Sequence, residues 1–146
     1  MAVSWTVTFD CTSAPVLAAF WTTALGYVPA APPRGFADWE TWYRAFDVTD
    51  EERDGLAAIE DPDGVGPRIS FLKVPEGKTV KNRVHLDVQI GGGRAVPITT
   101  RWPRVLEKVE QLRAAGGSVL LEVPLDDGTP DHVLMADPEG NEFCVI

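Results

Sequence analysis

His85 and Asp87 stand two residues apart in Arg83 to Gln89, a stretch whose apolar and polar residues alternate as in a half-buried strand. Strand geometry turns residues i and i+2 to one face, so an imidazole and a carboxylate share a surface, and either could serve as a general base. The structural alternatives are equally concrete: a neutral imidazole donating to a backbone carbonyl, and a carboxylate accepting nearby backbone N–H groups. Thr8 and Asp10 repeat the arrangement in Trp5 to Cys11. Cys144 lies in another strand-like run without a basic neighbour in sequence, which favours a packed thiol over an activated nucleophile. Trp39, Trp42, Tyr43 and Phe46 fall at i, i+3, i+4 and i+7, one face of a helix. Such a face could cover a cavity and stack on a planar or cationic molecule, or fill a core. Gly91 to Gly93 lacks the Lys-Ser/Thr ending of a phosphate loop and the spacing of a dinucleotide fingerprint, so it reads as a flexible connection.

The elements that must position these groups follow from periodicity and punctuation. Trp5 to Cys11 is predicted as a strand. Ser13 then caps a helix carrying the stripe Val16, Leu17, Phe20, Trp21, Ala24 and Leu25, which Gly26 stops. Residues 29–35, rich in Pro and Ala, read as a loop. The aromatic helix follows, then a short turn with Thr49 and Glu52 as a capping box, then strands at Leu56 to Glu60 and Arg68 to Val74 around Asp61-Pro62-Asp63-Gly64. Beyond the strand at Arg83 to Gln89, a loop ends near Pro103. A helix with Val105, Leu106, Val109 and Leu112 inward is stopped by Gly116 and Gly117, Ser118 to Val123 is a strand, and His132 to Ala136 with Glu142 to Ile146 forms a final hairpin.

These elements repeat. Val7-Thr8-Phe9-Asp10-Cys11 lies against Val84-His85-Leu86-Asp87-Val88, and Asp61-Pro62-Asp63-Gly64 matches Asp137-Pro138-Glu139-Gly140, with Gly66 and Pro67 as an insertion in the first copy. A strand, a helix and three further strands leave one sheet face uncovered, so two copies must pack to enclose a shared volume. The expectation is an α+β chain of two tandem βαβββ modules, about 1–78 and 79–146, forming curved mixed sheets around a cavity, with an inserted helix in the first.

Bulk properties bound the function. A chain of 146 residues that is 45% hydrophobic can fill one core, and no stretch approaches the ~20 apolar residues of a membrane span. A net charge of -9 and a pI near 4.6 oppose nucleic-acid binding and mildly favour cationic small ligands. With two cysteines, no disulfide framework and no basic leader, the chain is expected to be cytoplasmic, with reduced thiols.

The sequence resembles glyoxalase-like domains of the vicinal oxygen chelate superfamily, which includes glyoxalases, bleomycin resistance proteins and dioxygenases. The likeness rests on Ala19-Phe20-Trp21 through Leu25-Gly26 and on the run from Asp61 through Gly66-Pro67-Arg68 and Val74-Pro75-Glu76 to Lys81-Asn82-Arg83-Val84-His85-Leu86-Asp87. It is completed by Asp137-Pro138-Glu139-Gly140-Asn141-Glu142-Phe143. The aromatic stretch Trp39 to Phe46 is similar to an insertion in one branch of that family.

The resemblance implies metal ligands on the first and last strands of each module. His85 matches one such position; its counterpart is Thr8 by the repeat, or Thr6 counting back from the helix. The usual carboxylate falls on Cys144, with Ser70 or Leu72 as its equivalent in the first module. Catalytic sites normally take three protein ligands, so the usual metal centre is expected to be missing and no cofactor is called for. A divalent metal, if held, would take His85, Glu142 and Cys144. The reading is therefore a protein that binds a small molecule in the inter-sheet cavity, with Thr8, Asp10, Trp39, Trp42, Ser70, His85, Glu142 and Cys144 as ligand-binding candidates. The alternative is a lyase, isomerase or dioxygenase using a metal, or His85 or Asp87 as catalytic base. No nucleic-acid or membrane partner is expected, and the family habit of dimerising implies a homodimer as one assembly.

Overall fold

The computed structural model describes residues 2–146. Contacts divide the chain into two compact units, the first running to Thr22 and over Gly26–Gly77, the second comprising Thr23–Leu25 and Lys78–Ile146. The first contains β1 (Val7–Cys11), β2 (Val28–Pro29), α2 (Trp39–Ala45), α3 (Asp50–Arg53), β3 (Leu56–Glu60), β4 (Ile69–Lys73) and most of α1 (Ala14–Leu25). The second contains β5 (Asp87–Val88), α4 (Ile98–Ala114), β6 (Ser118–Pro124), β7 (Pro130–Ala136) and β8 (Glu142–Val145).

Both units have one topology. The sheets run β1-β4-β3-β2 and β5-β8-β7-β6, each with a parallel pair between its first and last strands and antiparallel pairs elsewhere. The chain is thus two βαβββ modules, and α2 with α3 is inserted between β2 and β3 of the first. Each hairpin turn is held by its leading aspartate. Asp61 accepts the N–H groups of Asp63, Val65 and Gly66, and Asp137 those of Glu139 and Asn141. A side chain at Gly66 would run into the Tyr27 ring, so the insertion that closes on Asp61 needs glycine there.

Alternation decides which sheet faces are buried. In the first unit Phe9, Ile59, Ile69 and Phe71 turn inward, and the Phe9 ring lies 5.2 Å from Trp21 of α1 and 5.6 Å from Phe71. In the second, Val105, Val109 and Leu112 of α4 are buried, as are Val133, Met135, Phe143 and Val145 of β7 and β8. The opposite faces carry Thr8, Asp10 and Ser70 in one unit and Asp87, Glu142 and Cys144 in the other. Among the described residues no helix is long and apolar enough to cross a membrane.

Four expectations are corrected. Pro29, expected to open the loop, instead joins Val28 in a short edge strand, which proline tolerates because an edge position needs no N–H on its outer side. Helix α4 begins at Ile98, ahead of Pro103, which sits inside it. Arg101, 4% exposed and bonded through Nη1 to the Asp131 carbonyl at 3.1 Å, anchors that first turn, so tertiary contact overrides the local break. The strand expected over Arg83 to Gln89 is confined to Asp87–Val88, with His85 just before it.

The fourth correction concerns register. Ile59 pairs with Ile69 and Met135 with Phe143, each two residues before its turn aspartate, which equates Ser70 with Cys144. Their parallel partners are Thr8 and Asp87, so Thr8 is the counterpart of Asp87, and Thr6 of His85. Of the two registers expected, the count back from the helix holds and the repeat alignment is displaced by two residues, a shift that preserves strand parity and keeps every residue on its correct face.

Candidate functional site: an aromatic cavity and a His-Asp-Cys cluster

The first unit carries a half-open cavity of about 720 Å³. Its walls come from α1, β3, β4 and the inserted helices, with Trp39, Trp42 and Tyr43 over the small strand residues Ala57 and Ala58. Helix α2 forms because Asp38 caps it, accepting the Thr41 N–H at 2.7 Å, and α3 because Thr49 and Glu52 complete a reciprocal capping box. The Trp39 indole N–H donates to the Ala30 carbonyl at 2.9 Å, pinning α2 to the strand side of the cavity. Glu40 and Arg53 pair at 2.9 Å, and the Arg53 guanidinium lies 4.9 Å from the Tyr43 ring centre, tying α3 to α2.

No residue of α2 is buried. Trp39, Trp42 and Tyr43 are half-buried and Phe46 is exposed, so the aromatic face is a cavity wall and not core filling. Trp39, Trp42 and Ser70, all expected at a ligand site, line this cavity. Thr8 is Ser70's sheet partner and Asp10 is opposite Leu72; both are exposed, and neither lines it. Arg68 also lines it and was missed; it shares strand parity with Ser70, two residues on, which was the available signal.

The second unit brings His85, Asp87 and Cys144 together, with one candidate ligand atom from each lying within 4.8 Å of the others. Asp87 is paired with Cys144 across β5 and β8; His85 Nδ1 is 3.9 Å from Cys144 Sγ and 3.5 Å from Asp87 Oδ1. Burial, followed by the Asp87 charge, pushes the Cys144 thiol up to about 11, so it holds its proton at neutral pH. Glu142 is engaged elsewhere. It accepts the Asn82 N–H at 2.9 Å and pairs with Lys78 at 3.0 Å, which together bring its carboxyl down to about 2. The residues that could hold a metal ion are thus His85, Asp87 and Cys144, with Glu142 engaged outside that cluster.

An imidazole, a carboxylate and a thiol fit a borderline-soft divalent ion such as zinc, which accepts nitrogen, oxygen and sulfur donors. The equivalent positions of the first unit, Thr6, Thr8 and Ser70, supply hydroxyls in place of strong ligands.

The model of the glyoxalase-like domain matches residues 6–146. The chain belongs to the glyoxalase-like domain family. Several solved structures share the fold of this glyoxalase-like chain, among them one of the glyoxalase/bleomycin resistance protein/dioxygenase family. A family enzyme from Burkholderia phytofirmans PsJN is 13% identical with a TM-score of 0.57, the match covering 95% of this chain and 93% of that one. The fosfomycin resistance protein FosX from Listeria monocytogenes, as a mutant complexed with Mn(II) and 1S,2S-dihydroxypropylphosphonic acid, is 12% identical with a TM-score of 0.62, covering 99% and 89%. A hypothetical protein from S. aureus is 14% identical with a TM-score of 0.60, covering 99% and 96%. No curated protein matches the chain. At these identities the likeness is one of fold.

Proposed function

We propose that this glyoxalase-like protein binds a small aromatic molecule in the cavity of its first unit. One observation carries the reading: three aromatic side chains of α2 remain half-buried over an apolar cavity of about 720 Å³, within the size range of ligand sites. Aromatic walls stack on a flat ligand with little loss of side-chain freedom, and Ala57 and Ala58 leave room for it. A thermal-shift screen of flat aromatic compounds against the purified chain tests the proposal. A ligand at a hundredfold its Kd adds about 2.7 kcal/mol, and Trp42→Ala should abolish that gain. Silence across a broad aromatic library would overturn it.

The His85, Asp87 and Cys144 cluster supports a second reading, a metal-dependent enzyme of the superfamily. These three residues would hold a divalent ion, which when bound supplies Lewis-acid polarisation of an oxygen-bearing substrate. His85 and Asp87, 39% and 46% exposed, can also move a proton without it. Elemental analysis of protein purified without chelators separates the two readings: stoichiometric metal, lost in His85→Ala, favours the enzyme.

A further inference from the structure

Arg68 is half-buried in the cavity wall, and its side chain makes no hydrogen bond or ion pair among the described residues. The other arginine of the lining already has counter-charges: Arg53 meets Glu40 at 2.9 Å, Asp50 at 3.3 Å and the Tyr43 ring, although its buried Nε makes no hydrogen bond. A guanidinium stays protonated at every working pH and donates in a planar fork matched to a carboxylate. Ser70, two residues along β4 on the same face, adds a hydroxyl whose side chain is also without a partner.

The acidic groups of the lining make no ion pair with Arg68 among the described residues. Glu52 is held by the Thr49 backbone and hydroxyl, each at 2.9 Å, in the capping box. Asp54, at the end of α3, is exposed and therefore solvated.

We propose that the cavity ligand is an aromatic acid, its flat body under Trp39, Trp42 and Tyr43 and its carboxylate taken by Arg68. This rests on the binding reading above and names its substrate class. It reverses the preference for cations that a net charge of -9 suggests, because the cavity presents its own local cation to the ligand. An anion is not drawn in by the field of the whole chain, so its selection falls to Arg68.

The test uses two probes of one shape, 2-naphthoate and the neutral 2-naphthamide, titrated into the full chain by calorimetry and tryptophan fluorescence. Naphthoate should bind at least about tenfold more tightly, a difference of about 1.4 kcal/mol. Arg68→Gln should bring the ratio of the two affinities close to unity, Arg68→Lys should retain part of the preference, and both variants should keep the wild-type circular dichroism spectrum. Equal affinities in the wild type, or a preference that survives Arg68→Gln, would overturn the acid assignment and leave the cavity reading standing. Failure of both probes to bind, or binding of both unchanged by Trp42→Ala, would overturn the cavity reading and the assignment with it.

Discussion

Asp87 lies directly opposite Cys144 in the parallel β5–β8 pair, and its carboxylate is the second cause, after burial, of the thiol's reluctance to ionise. The Cys144 alkylation rate should therefore rise with pH towards a midpoint near 11 in the wild type. Asp87→Asn removes one of the two causes and should move that midpoint down. Iodoacetamide labelling followed by peptide mass spectrometry, which separates Cys144 from Cys11, reads the result. An unchanged midpoint would show that Asp87 has no hold on the thiol.

If the cluster takes a metal, the same proton must leave. Binding of zinc should then release protons to the buffer and protect Cys144 from alkylation, with affinity rising with pH throughout the range below about 11, where the thiol must give up its proton to bind. Calorimetry in two buffers of different ionisation enthalpy measures the proton count. Zinc binding that is independent of pH would separate the metal from Cys144.

Glu142 gives a pH dependence of opposite origin. Its carboxyl, lowered to about 2 by the Asn82 N–H and Lys78, binds protons more weakly in the folded chain than in the unfolded one, where it returns to about 4.5. Its contribution to stability is thus present above pH 4.5 and is lost as pH falls through 2. Glu142→Gln should cost about 1–3 kcal/mol at pH 7 and progressively less towards pH 2, as read by urea denaturation at several pH values.

How far the sequence disclosed this molecule depends on what each signal reports. The module repeat was legible because turn aspartates, stop glycines and alternating strands are local chemistry. Asp61 and Asp137 perform the same task in both units, and the α2 aromatic face followed from spacing alone. Register was legible only as two alternatives: counting back from the helix gave Thr6 as the counterpart of His85, while Val-x-x-Asp matched equally well two residues away, a displacement that leaves every face unchanged. Asp87 as third donor, and Glu142's engagement by Lys78 and Asn82, depend on contacts across about 60 residues of chain that no local pattern encodes. Arg68 was hidden for a related reason: an unpaired charge can be recognised only once its surroundings are known.

Asp131 illustrates a polar group whose role is holding the second unit together. It is 3% exposed, and it meets Arg94 Nη2 at 2.7 Å, His132 Nδ1 at 3.0 Å and buried Arg101 at 3.7 Å. Asp131→Ala should cost about 3–5 kcal/mol, because Arg101 would remain buried without its counter-charge. Arg94→Ala, which removes a guanidinium 68% exposed, should cost far less. Chemical denaturation of the two variants side by side tests the contrast.

Trp39 separates affinity from stability. Its indole N–H on the Ala30 carbonyl fixes α2 over the cavity, while its ring is itself part of the wall. Trp39→Phe keeps an aromatic face and deletes the donor, so the loss of stability should stay near the value of one hydrogen bond, about 0.5–1.5 kcal/mol. The cost to binding should be larger, because α2 carries Trp42 and Tyr43 with it and a wall free to shift must be ordered again when the ligand arrives. The expected signature is a fall in naphthoate affinity of about tenfold, with a faster dissociation rate and a nearly unchanged association rate, since most affinity changes within one site appear in koff. Stopped-flow tryptophan fluorescence resolves the two rates, and an affinity equal to wild type would show that the Trp39–Ala30 bond does not hold the cavity wall in place.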